Sequence, residues 1–208
     1  MLYFARTPWW LKKLYNRCIW DIRGTTKDIY LTFDDGPHPT ITPFVLHQLK
    51  LFNAQATFFC IGKNIVEYPD IYRNILLQGH SIGNHTQHHV NGWKTDDHSY
   101  INDIKTAEEY IHSNLFRPPY GKIKRSQLKL LRKEKPVVKV IMWSVLSGDF
   151  DTRLKGEKCL QMVLKNSCNG SIIVFHDSNK AEERLRYALP KTLELLSEKG
   201  YKFKKITG

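Results

Sequence analysis

The 208-residue sequence predicts a single α/β domain built on a parallel β-sheet that is covered on both faces. Short runs of almost continuous apolar residues alternate with longer segments that have the periodicity of amphipathic helices. No internal repeat and no linker-like stretch interrupts this alternation. The content of 41% hydrophobic and 25% charged residues is that of an ordinary soluble globular protein, which excludes wholesale disorder.

The elements of this domain follow one another from residue 28 onward. The first strand, 28–33, is an apolar run that ends in the turn sequence Asp34-Asp35-Gly36-Pro37. Further apolar runs predict strands at 56–61, 81–83, 137–143, 171–175 and 201–206. Helical spacing predicts helices at 42–52, 65–78, 99–115, 126–134, 157–166 and 184–199. Two adjacent prolines keep residues 117–121 out of a helix, because proline removes a donor and fixes φ.

Residues 1–24 form a distinct N-terminal segment ahead of the main domain, which we place at 25–208. Leu11, Leu14, Tyr15 and Cys18 follow the spacing of one helical face and predict a short basic amphipathic helix. We interpret it as a helix that docks on the domain, with peripheral membrane contact through residues 9–19 as the alternative. No signal peptide or membrane span is visible, so we expect a cytoplasmic or peripherally membrane-associated protein.

The formal net charge of +12 suits an anionic partner such as nucleic acid, an anionic glycan or a lipid surface. No nucleic-acid-binding motif accompanies the short lysine and arginine clusters, so nucleic acid is not an expected partner. The four cysteines are scattered without a CxxC pair, which excludes a thiolate zinc module and favours free thiols. We expect a monomer.

Polar, titratable residues gather at the carboxyl ends of the predicted strands, where parallel α/β folds place their sites. They are Asp34-Asp35 after the first strand, residues 84–89 after the third, 147–151 after the strand at 137–143, and His176-Asp177. Because these ends meet at one edge of the sheet, the sequence predicts one pocket.

His85 and His89 are the candidate metal ligands in this pocket. In a helical turn, an i, i+4 pair points both imidazoles the same way, and a carboxylate from another strand completes a set of two histidines and one carboxylate. Asp34 or Asp35 can supply that carboxylate, while its neighbour acts as a general base. Such a set leaves positions open for water and substrate, which is typical of a catalytic metal site.

Four segments carry a resemblance to a known family. In order and rough spacing they are similar to successive motifs of the polysaccharide deacetylases, the NodB homology domain family also called carbohydrate esterase family 4. The segments are Thr32-Phe33-Asp34-Asp35-Gly36-Pro37, residues 83–89 (GNHTQHH), Arg117-Pro118-Pro119-Tyr120-Gly121 and Val174-Phe175-His176-Asp177. The resemblance covers about residues 27–206.

The resemblance implies a distorted β/α barrel of seven or eight strands. It also implies metal-dependent removal of N-acetyl, occasionally O-acetyl, groups from amino sugars of a glycan. Carried over by position, Asp35, His85 and His89 are the metal ligands. For such a ligand set we expect Zn²⁺, with Co²⁺ or Ni²⁺ as alternatives.

The resemblance also implies catalytic roles for five residues. Asp34 is the base, and Arg117 orients it by a charge-assisted hydrogen bond. The backbone N–H of Tyr120 helps to stabilise the oxyanion. His176 protonates the departing amine, and Asp149 pairs with His176 and raises its pKa.

The expected substrate-binding residues are Trp143, Val174, which lines a small pocket for the acetyl methyl group, and Pro119. Two positions depart from the family pattern. Leu146 stands three residues after Trp143, where the family often has Asp, and Phe150 stands where Trp is common. Both departures bear on the choice of substrate.

Two alternatives remain at this stage. One is a catalytically inactive, basic, glycan-binding relative, and the other is a hydrolase of a different non-peptide C–N bond in a small molecule. Release of acetate from N-acetylglucosamine oligomers would distinguish the deacetylase from both.

Overall fold

The computed structural model describes residues 3–22 and 24–208. Its strands are β1 (Asp28–Asp34), β2 (Ala56–Cys60), β3 (Ser81–Asn84), β4 (Leu115–Phe116), β5 (Lys139–Val140), β6 (Val145–Leu146), β7 (Ile172–His176) and β8 (Lys202–Phe203). Its helices are α1 (Trp9–Leu14), α2 (Ile41–Leu51), α3 (Gly62–Glu67), α4 (Pro69–Leu77), α5 (Asp97–Glu108), α6 (Arg125–Glu134), α7 (Gly156–Asn166) and α8 (Glu182–Glu198). A short 3₁₀ turn spans Pro119–Gly121.

The strands form one curled parallel sheet in the order β5-β4-β3-β2-β1-β7-β6, with β8 paired to the start of β1. The two edge strands are nearly continuous in the chain, because β5 ends at Val140 and β6 begins at Val145. Five residue steps reach at most about 18 Å, whereas the edges of a flat seven-stranded sheet lie about 29 Å apart. The sheet therefore curls into a distorted barrel, which confirms the predicted fold.

The N-terminal segment lies along the seam between β5 and β6. Ile19 donates its N–H to the carbonyl of Val140 at 2.8 Å and accepts from the N–H of Met142 at 2.7 Å. Farther along, the N–H of Thr7 donates to Ser144, and Ala5 accepts from Leu146. The segment thus satisfies backbone groups that the broken edge would leave open. The predicted segment 1–24 also includes residues 1, 2 and 23, which lie outside the described residues.

Helix α1 docks on the barrel through only part of its predicted face. Leu11 and Tyr15 pack against a buried cluster that contains Cys18 and Trp20, but 48% of Leu14 is exposed. Of the four positions that follow the spacing of one helical face, Leu14 is therefore the one that stays largely outside this contact. Among the described helices, none has both the length and the apolar character to cross a bilayer.

The main core lies between the sheet and helices α2, α7 and α8. Its centre is a row of stacked rings from three neighbouring strands, in which Phe33 lies 5.1 Å from Phe58 and 6.2 Å from Phe175, centroid to centroid. A second cluster lies under α5 and α6 and includes Tyr100 and Trp20. Rings on successive parallel strands hold the strand ends rigidly, and the polar residues beyond those ends are held with them.

Three element predictions were wrong in detail. The helix predicted at 65–78 breaks at Tyr68, because Pro69 disfavours helical backbone at the preceding residue. The helix predicted at 99–115 ends at Glu108, and the two-residue strand β4 follows it. The strand predicted at 137–143 is interrupted, with only Lys139–Val140 in β5 before the chain crosses the seam to β6.

The thiol prediction is confirmed among the described residues. All four cysteines are free; three are buried and Cys168 is exposed.

Candidate active site

Strand register brings the polar residues of different strands to one end of the barrel. Asp34, the last residue of β1, is the direct partner of His176, the last residue of β7. The chain leaves β3 directly into His85, leaves β4 directly into Arg117, and reaches Asp149 just after β6. In a parallel sheet all of these exits point the same way, so these residues gather at one end of the barrel.

Asp35, His85 and His89 offer ligand atoms that all lie within 4.8 Å of one another. Oδ1 of Asp35 lies 3.2 Å from Nε2 of His89 and 3.7 Å from Nε2 of His85. This oxygen is buried without a well-aligned hydrogen-bond donor among the described residues. A carboxylate oxygen that is buried without a hydrogen-bond donor is unfavourable, and a bound cation would supply the missing partner.

The protonation of these groups suits a metal ligand set. Nδ1 of His85 lies 2.8 Å from the carbonyl oxygen of Arg117, which fixes the tautomer that leaves Nε2 free. Burial lowers the pKa of His85 to about 4, so the imidazole is neutral. Burial alone would raise the pKa of Asp35, but the neighbouring imidazoles, that of His89 first, lower it below its usual range. The residues present therefore fit a divalent metal ion.

The loop that carries the two histidines is not the helical turn that we predicted. Thr86 and His89 both have positive φ, at 66° and 56°. Side chains hold this unusual path, since Asn84 accepts the N–H of Thr86 and Thr86 Oγ1 accepts the N–H of Val90. The two imidazoles still converge, with ring centroids 5.0 Å apart.

His88, between the ligands, faces away from the cavity. Asp103 on α5 accepts hydrogen bonds from the backbone N–H groups of Gln87 and His88, and its Oδ1 lies 2.6 Å from Nδ1 of His88. Asp103 therefore clamps the outside of the ligand loop. Sequence reasoning missed this residue, because nothing in the helical pattern of α5 distinguishes it.

Asp34 and Arg117 form a buried ion pair. Nη1 of Arg117 donates to Oδ1 of Asp34 at 2.6 Å and to Thr32 at 2.7 Å. Its other nitrogens donate to the carbonyls of Ile141 and Met142 at the barrel seam. The guanidinium is fully buried, so the pair fixes the Asp34 carboxylate in one orientation.

His176 and Asp149 form the second charged pair. Oδ1 of Asp149 lies 2.8 Å from Nδ1 of His176, and Oδ2 accepts the backbone N–H of His176 at 2.7 Å. Burial alone would lower the pKa of His176, but the Asp149 carboxylate raises it to about 9. The nearby Asp151 is engaged elsewhere, since it accepts hydrogen bonds from Arg153 and Tyr3.

Asp177, the residue after His176, supports the turn after β1. It accepts the backbone N–H of Gly36 at 3.1 Å and the hydroxyl of Thr42. A Cβ at Gly36 would lie 2.1 Å from the Asp177 carboxylate, so only glycine allows this approach. Burial raises the pKa of Asp177 to about 7.

Asp34, Asp35, His85, His89 and His176 line one cavity of about 480 Å³. Its lining includes Trp143, Val174 and Tyr120, three of the residues predicted there, and Leu146 and Phe150, the two positions that depart from the family pattern. Pro119 lies buried in the 3₁₀ turn and is not among the described lining residues. Sequence reasoning missed Tyr3, Lys122 and Lys180, which also line the cavity.

Comparisons with known proteins agree with this geometry. The family model described as polysaccharide deacetylase matches residues 21–135. A peptidoglycan-N-acetylglucosamine deacetylase of Bacillus cereus is 34% identical over 190 residues, 88% of each chain. A chitooligosaccharide deacetylase of Azorhizobium caulinodans is 36% identical over 78% of this chain and 79% of its own length.

Among solved structures, a peptidoglycan N-acetylglucosamine deacetylase in complex with 4-naphthalen-1-yl-N-oxidanyl-benzamide is similar in fold, with a TM-score of 0.86. Its sequence identity is 32%, and the match covers 96% of this chain and 95% of that one. The similarity in fold therefore extends over almost the whole chain.

Proposed function

The chain belongs to the polysaccharide deacetylase family, and from this premise we propose that it removes N-acetyl groups from N-acetylglucosamine residues of a peptidoglycan-type glycan. The observation that carries the proposal is that three metal-ligand candidates share one cavity with Asp34 and His176, each of which is held by a buried charged partner behind it. Relatives matched over nearly their full length, named as peptidoglycan deacetylases, support this substrate class.

Asp35, His85 and His89 would hold the metal ion, for which we propose Zn²⁺, with Co²⁺ or Ni²⁺ as alternatives. When bound, a divalent ion supplies a Lewis acid that polarises a carbonyl and makes water a better nucleophile. The neutral imidazole of His85 and the ionised carboxylate of Asp35 are the forms that such an ion requires.

Asp34 acts as the general base in this proposal. Its carboxylate accepts a proton from the attacking water, while Arg117 holds the acceptor oxygen at a fixed position. Thr32 and two seam carbonyls hold the guanidinium in turn. The barrel itself therefore positions the base, and little reorganisation is needed when the proton moves.

His176 acts as the general acid. Its Nδ1–H donates to Asp149, which leaves Nε2–H to protonate the sugar amine as the C–N bond breaks. The raised pKa keeps the imidazole charged at neutral pH, when the amine has to leave as a neutral molecule. Acetate and a free amino sugar are the products.

Tyr120, Val174 and Trp143 contribute to binding and to stabilisation of the oxyanion. Tyr120 has a positive φ of 59°, and its ring packs on His89 with centroids 4.6 Å apart. We propose that its backbone N–H donates to the developing oxyanion. Val174, buried in the middle of β7, lines the space for the acetyl methyl group, and Trp143 forms the wall beside it.

The proposal is tested by acetate release from the purified chain, which we expect to be a monomer. Peptidoglycan, chitooligosaccharides and N-acetylglucosamine are compared, each after chelation and after addition of Zn²⁺, Co²⁺ or Ni²⁺. We expect metal-dependent acetate release, with the highest kcat/KM on peptidoglycan fragments. Glycan binding without acetate release would support the inactive alternative, and release of a different product would support another C–N hydrolase.

The ligand assignment has a matched internal control. His85→Ala, His89→Ala and Asp35→Ala should each lose bound metal and activity together, because each removes one of three ligands. His88→Ala removes an imidazole from the same loop but keeps all three ligands, so its metal content should equal that of the wild type. Full metal occupancy in all three ligand variants would contradict the assignment.

A further inference from the structure

The surface formed by α1 and α6, which we call the docking face, combines exposed apolar side chains with a cluster of cations. Trp9, Trp10 and Leu14 of α1 are 75%, 50% and 48% exposed. A groove of about 670 Å³ runs beside them. Its cationic lining residues, from two distant parts of the chain, are Lys13, Arg17, Arg125, Lys129 and Arg132.

The docking face is held rigidly although its side chains are exposed. Trp20 is buried and donates from Nε1 to the carbonyl of Tyr15 at 3.1 Å, and the hydroxyl of Tyr15 donates to the carbonyl of Ile123 at 3.2 Å. Nη2 of Arg132 donates to the carbonyl of Arg17 at 2.7 Å, which joins α6 to the end of the N-terminal segment. The exposed tryptophans are therefore presented by a fixed scaffold.

The cations of the docking face have no acidic partners among the described residues. None of the five forms an ion pair with a described carboxylate, and no Asp or Glu is among the residues described as lining the groove. Neighbouring lysines differ, since Lys12 pairs with Asp21 at 2.6 Å and Lys135 pairs with Glu108 at 2.8 Å. The face therefore has a local excess of positive charge with exposed tryptophan at its edge.

We propose that the docking face binds the surface of an anionic phospholipid bilayer. Phosphate and carboxylate headgroups would neutralise the five cations, while Trp9, Trp10 and Leu14 enter the interface between headgroups and acyl chains, where tryptophan is favoured. The charge complementarity selects an anionic surface, and the adjacent tryptophans and leucine favour a bilayer over a soluble polyanion. This binding is separate from the deacetylase proposal and does not depend on it.

The docking face adjoins the active-site side of the barrel. A groove of about 260 Å³, lined by Leu11 and Tyr15, shares Tyr120 and Trp143 with the active-site cavity. When this chain is bound to a bilayer through α1, the groove would lie close to the membrane surface. A substrate glycan near that surface would therefore be within reach of the active-site cavity.

The test is sedimentation of the full chain with vesicles. We expect binding to vesicles of equimolar phosphatidylglycerol and phosphatidylcholine, and much weaker binding to pure phosphatidylcholine. Lys13→Gln/Arg125→Gln/Lys129→Gln should reduce partitioning about 100-fold, since each cation contributes about fivefold. Trp9→Ala/Trp10→Ala should reduce it about tenfold or more, because it removes the apolar part of the contact.

Two control variants remove the same number of positive charges, or the same number of exposed apolar side chains, from other faces. Lys50→Gln/Lys63→Gln/Lys158→Gln removes three exposed lysines, and Leu51→Ala/Leu77→Ala removes two exposed leucines. Both should bind vesicles like the wild type, and all variants should keep wild-type activity on a soluble chitooligosaccharide. An equal loss of binding in the lysine control would attribute the effect to net charge and overturn the proposal.

Insertion of the tryptophans gives an independent readout. Brominated phosphatidylcholine in the anionic vesicles should quench tryptophan fluorescence of the wild type and should quench Trp9→Ala/Trp10→Ala less. Failure of the wild type to bind anionic vesicles would overturn the proposal. Binding to an RNA oligomer or polyphosphate without such quenching would instead identify a site for a soluble polyanion.

Discussion

The active-site end of the barrel and the docking face use charged residues in opposite ways. At the active site, Arg117 is fully buried against Asp34, and Asp149 is fully buried against His176. On the docking face, five cations surround exposed tryptophans and have no described acidic partner. Each of these two charged pairs therefore has both of its partners within the chain, whereas the cations of the docking face do not.

The difference indicates what each region is built to contact. Buried charge pairs cost desolvation and need good geometry, and they are found where orientation of one group matters. Unpaired exposed cations cost little in water and retain their attraction for an external anion. Substitutions should therefore have large effects on catalysis or folding in the first region and small effects on both in the second.

The largest expected effect is at Asp34. Asp34→Asn should lower kcat by about two to four orders of magnitude, because an amide cannot accept the proton from water. Metal content, measured by elemental analysis, should stay at the wild-type level because Asp34 is not among the ligand candidates. Near-normal turnover would remove Asp34 as the base. Unfolding should also occur at lower denaturant, because Arg117 loses its counter-charge.

The next effect compares two tryptophans in the same N-terminal segment. Trp20 is 6% exposed and Trp9 is 75% exposed. Trp20→Ala should lower the free energy of unfolding by about 3–5 kcal/mol, because it opens a cavity beneath α1, whereas Trp9→Ala should change it by less than about 0.5 kcal/mol. Urea denaturation of both variants measures the difference. Equal losses of unfolding free energy in the two variants would show that Trp9 contributes to stability as Trp20 does, and that α1 does not serve as an exposed binding surface.

The third effect is on pH dependence. Asp149→Asn should shift the alkaline limb of kcat/KM to lower pH, because His176 loses the carboxylate that raises its pKa from 6.5 to about 9. His176→Ala is the reference and should lack that limb. An unchanged limb in Asp149→Asn would mean that another carboxylate holds the charge of His176.

The same pair makes a prediction for stability. A histidine pKa raised on folding stabilises the protein fully below the unfolded value of 6.5, and this stabilisation is lost as pH rises through about 9. Asp149→Asn should therefore destabilise the protein more in weakly acidic buffer than in strongly alkaline buffer. Urea denaturation at both conditions measures the difference, and an equal loss at both would contradict it.

The smallest effect is on the docking face. Arg125, Lys129 and Lys133 lie four residues apart on α6, where like charges repel. Lys129→Gln should raise the free energy of unfolding by about 0.2–0.5 kcal/mol at low salt. Salt screens this repulsion, so the gain should disappear near 1 M salt. A loss of stability would indicate that Lys129 has an acidic partner. The docking face would then no longer differ from the active site in having unpaired charges.

Although it missed β4 and β6, which lead into Arg117 and Asp149, the sequence alone predicted the strands β1, β3 and β7 and the polar residues at their ends. It could do so because apolar runs with polar residues at their carboxyl ends fix both the sheet and its functional edge. The conformation of residues 85–89 could not be predicted, since Asp103 on α5 holds it through tertiary hydrogen bonds to Gln87 and His88. The HxxxH spacing suggested a helix, but the loop achieves the convergence with positive φ angles.

The docking face was also only partly predictable. The sequence indicated the amphipathic character of residues 9–19, but not that α6 would bring Arg125 and Lys129 beside it. The break between β5 and β6 was missed for a similar reason, because two-residue strands carry no periodicity. Both features depend on where distant segments pack, and local pattern does not contain that information.

The seam between β5 and β6 has a consequence for the order of assembly. Thr7 donates its hydroxyl to the carbonyl of Trp143, a residue 136 positions later in the chain. During synthesis the N-terminal segment therefore emerges long before its partners and has to wait for most of the barrel. Until β5 and β6 have formed, its apolar side chains remain accessible to chaperones or membranes. The N-terminal segment is therefore synthesised first but can dock on the barrel only after β5 and β6 have formed.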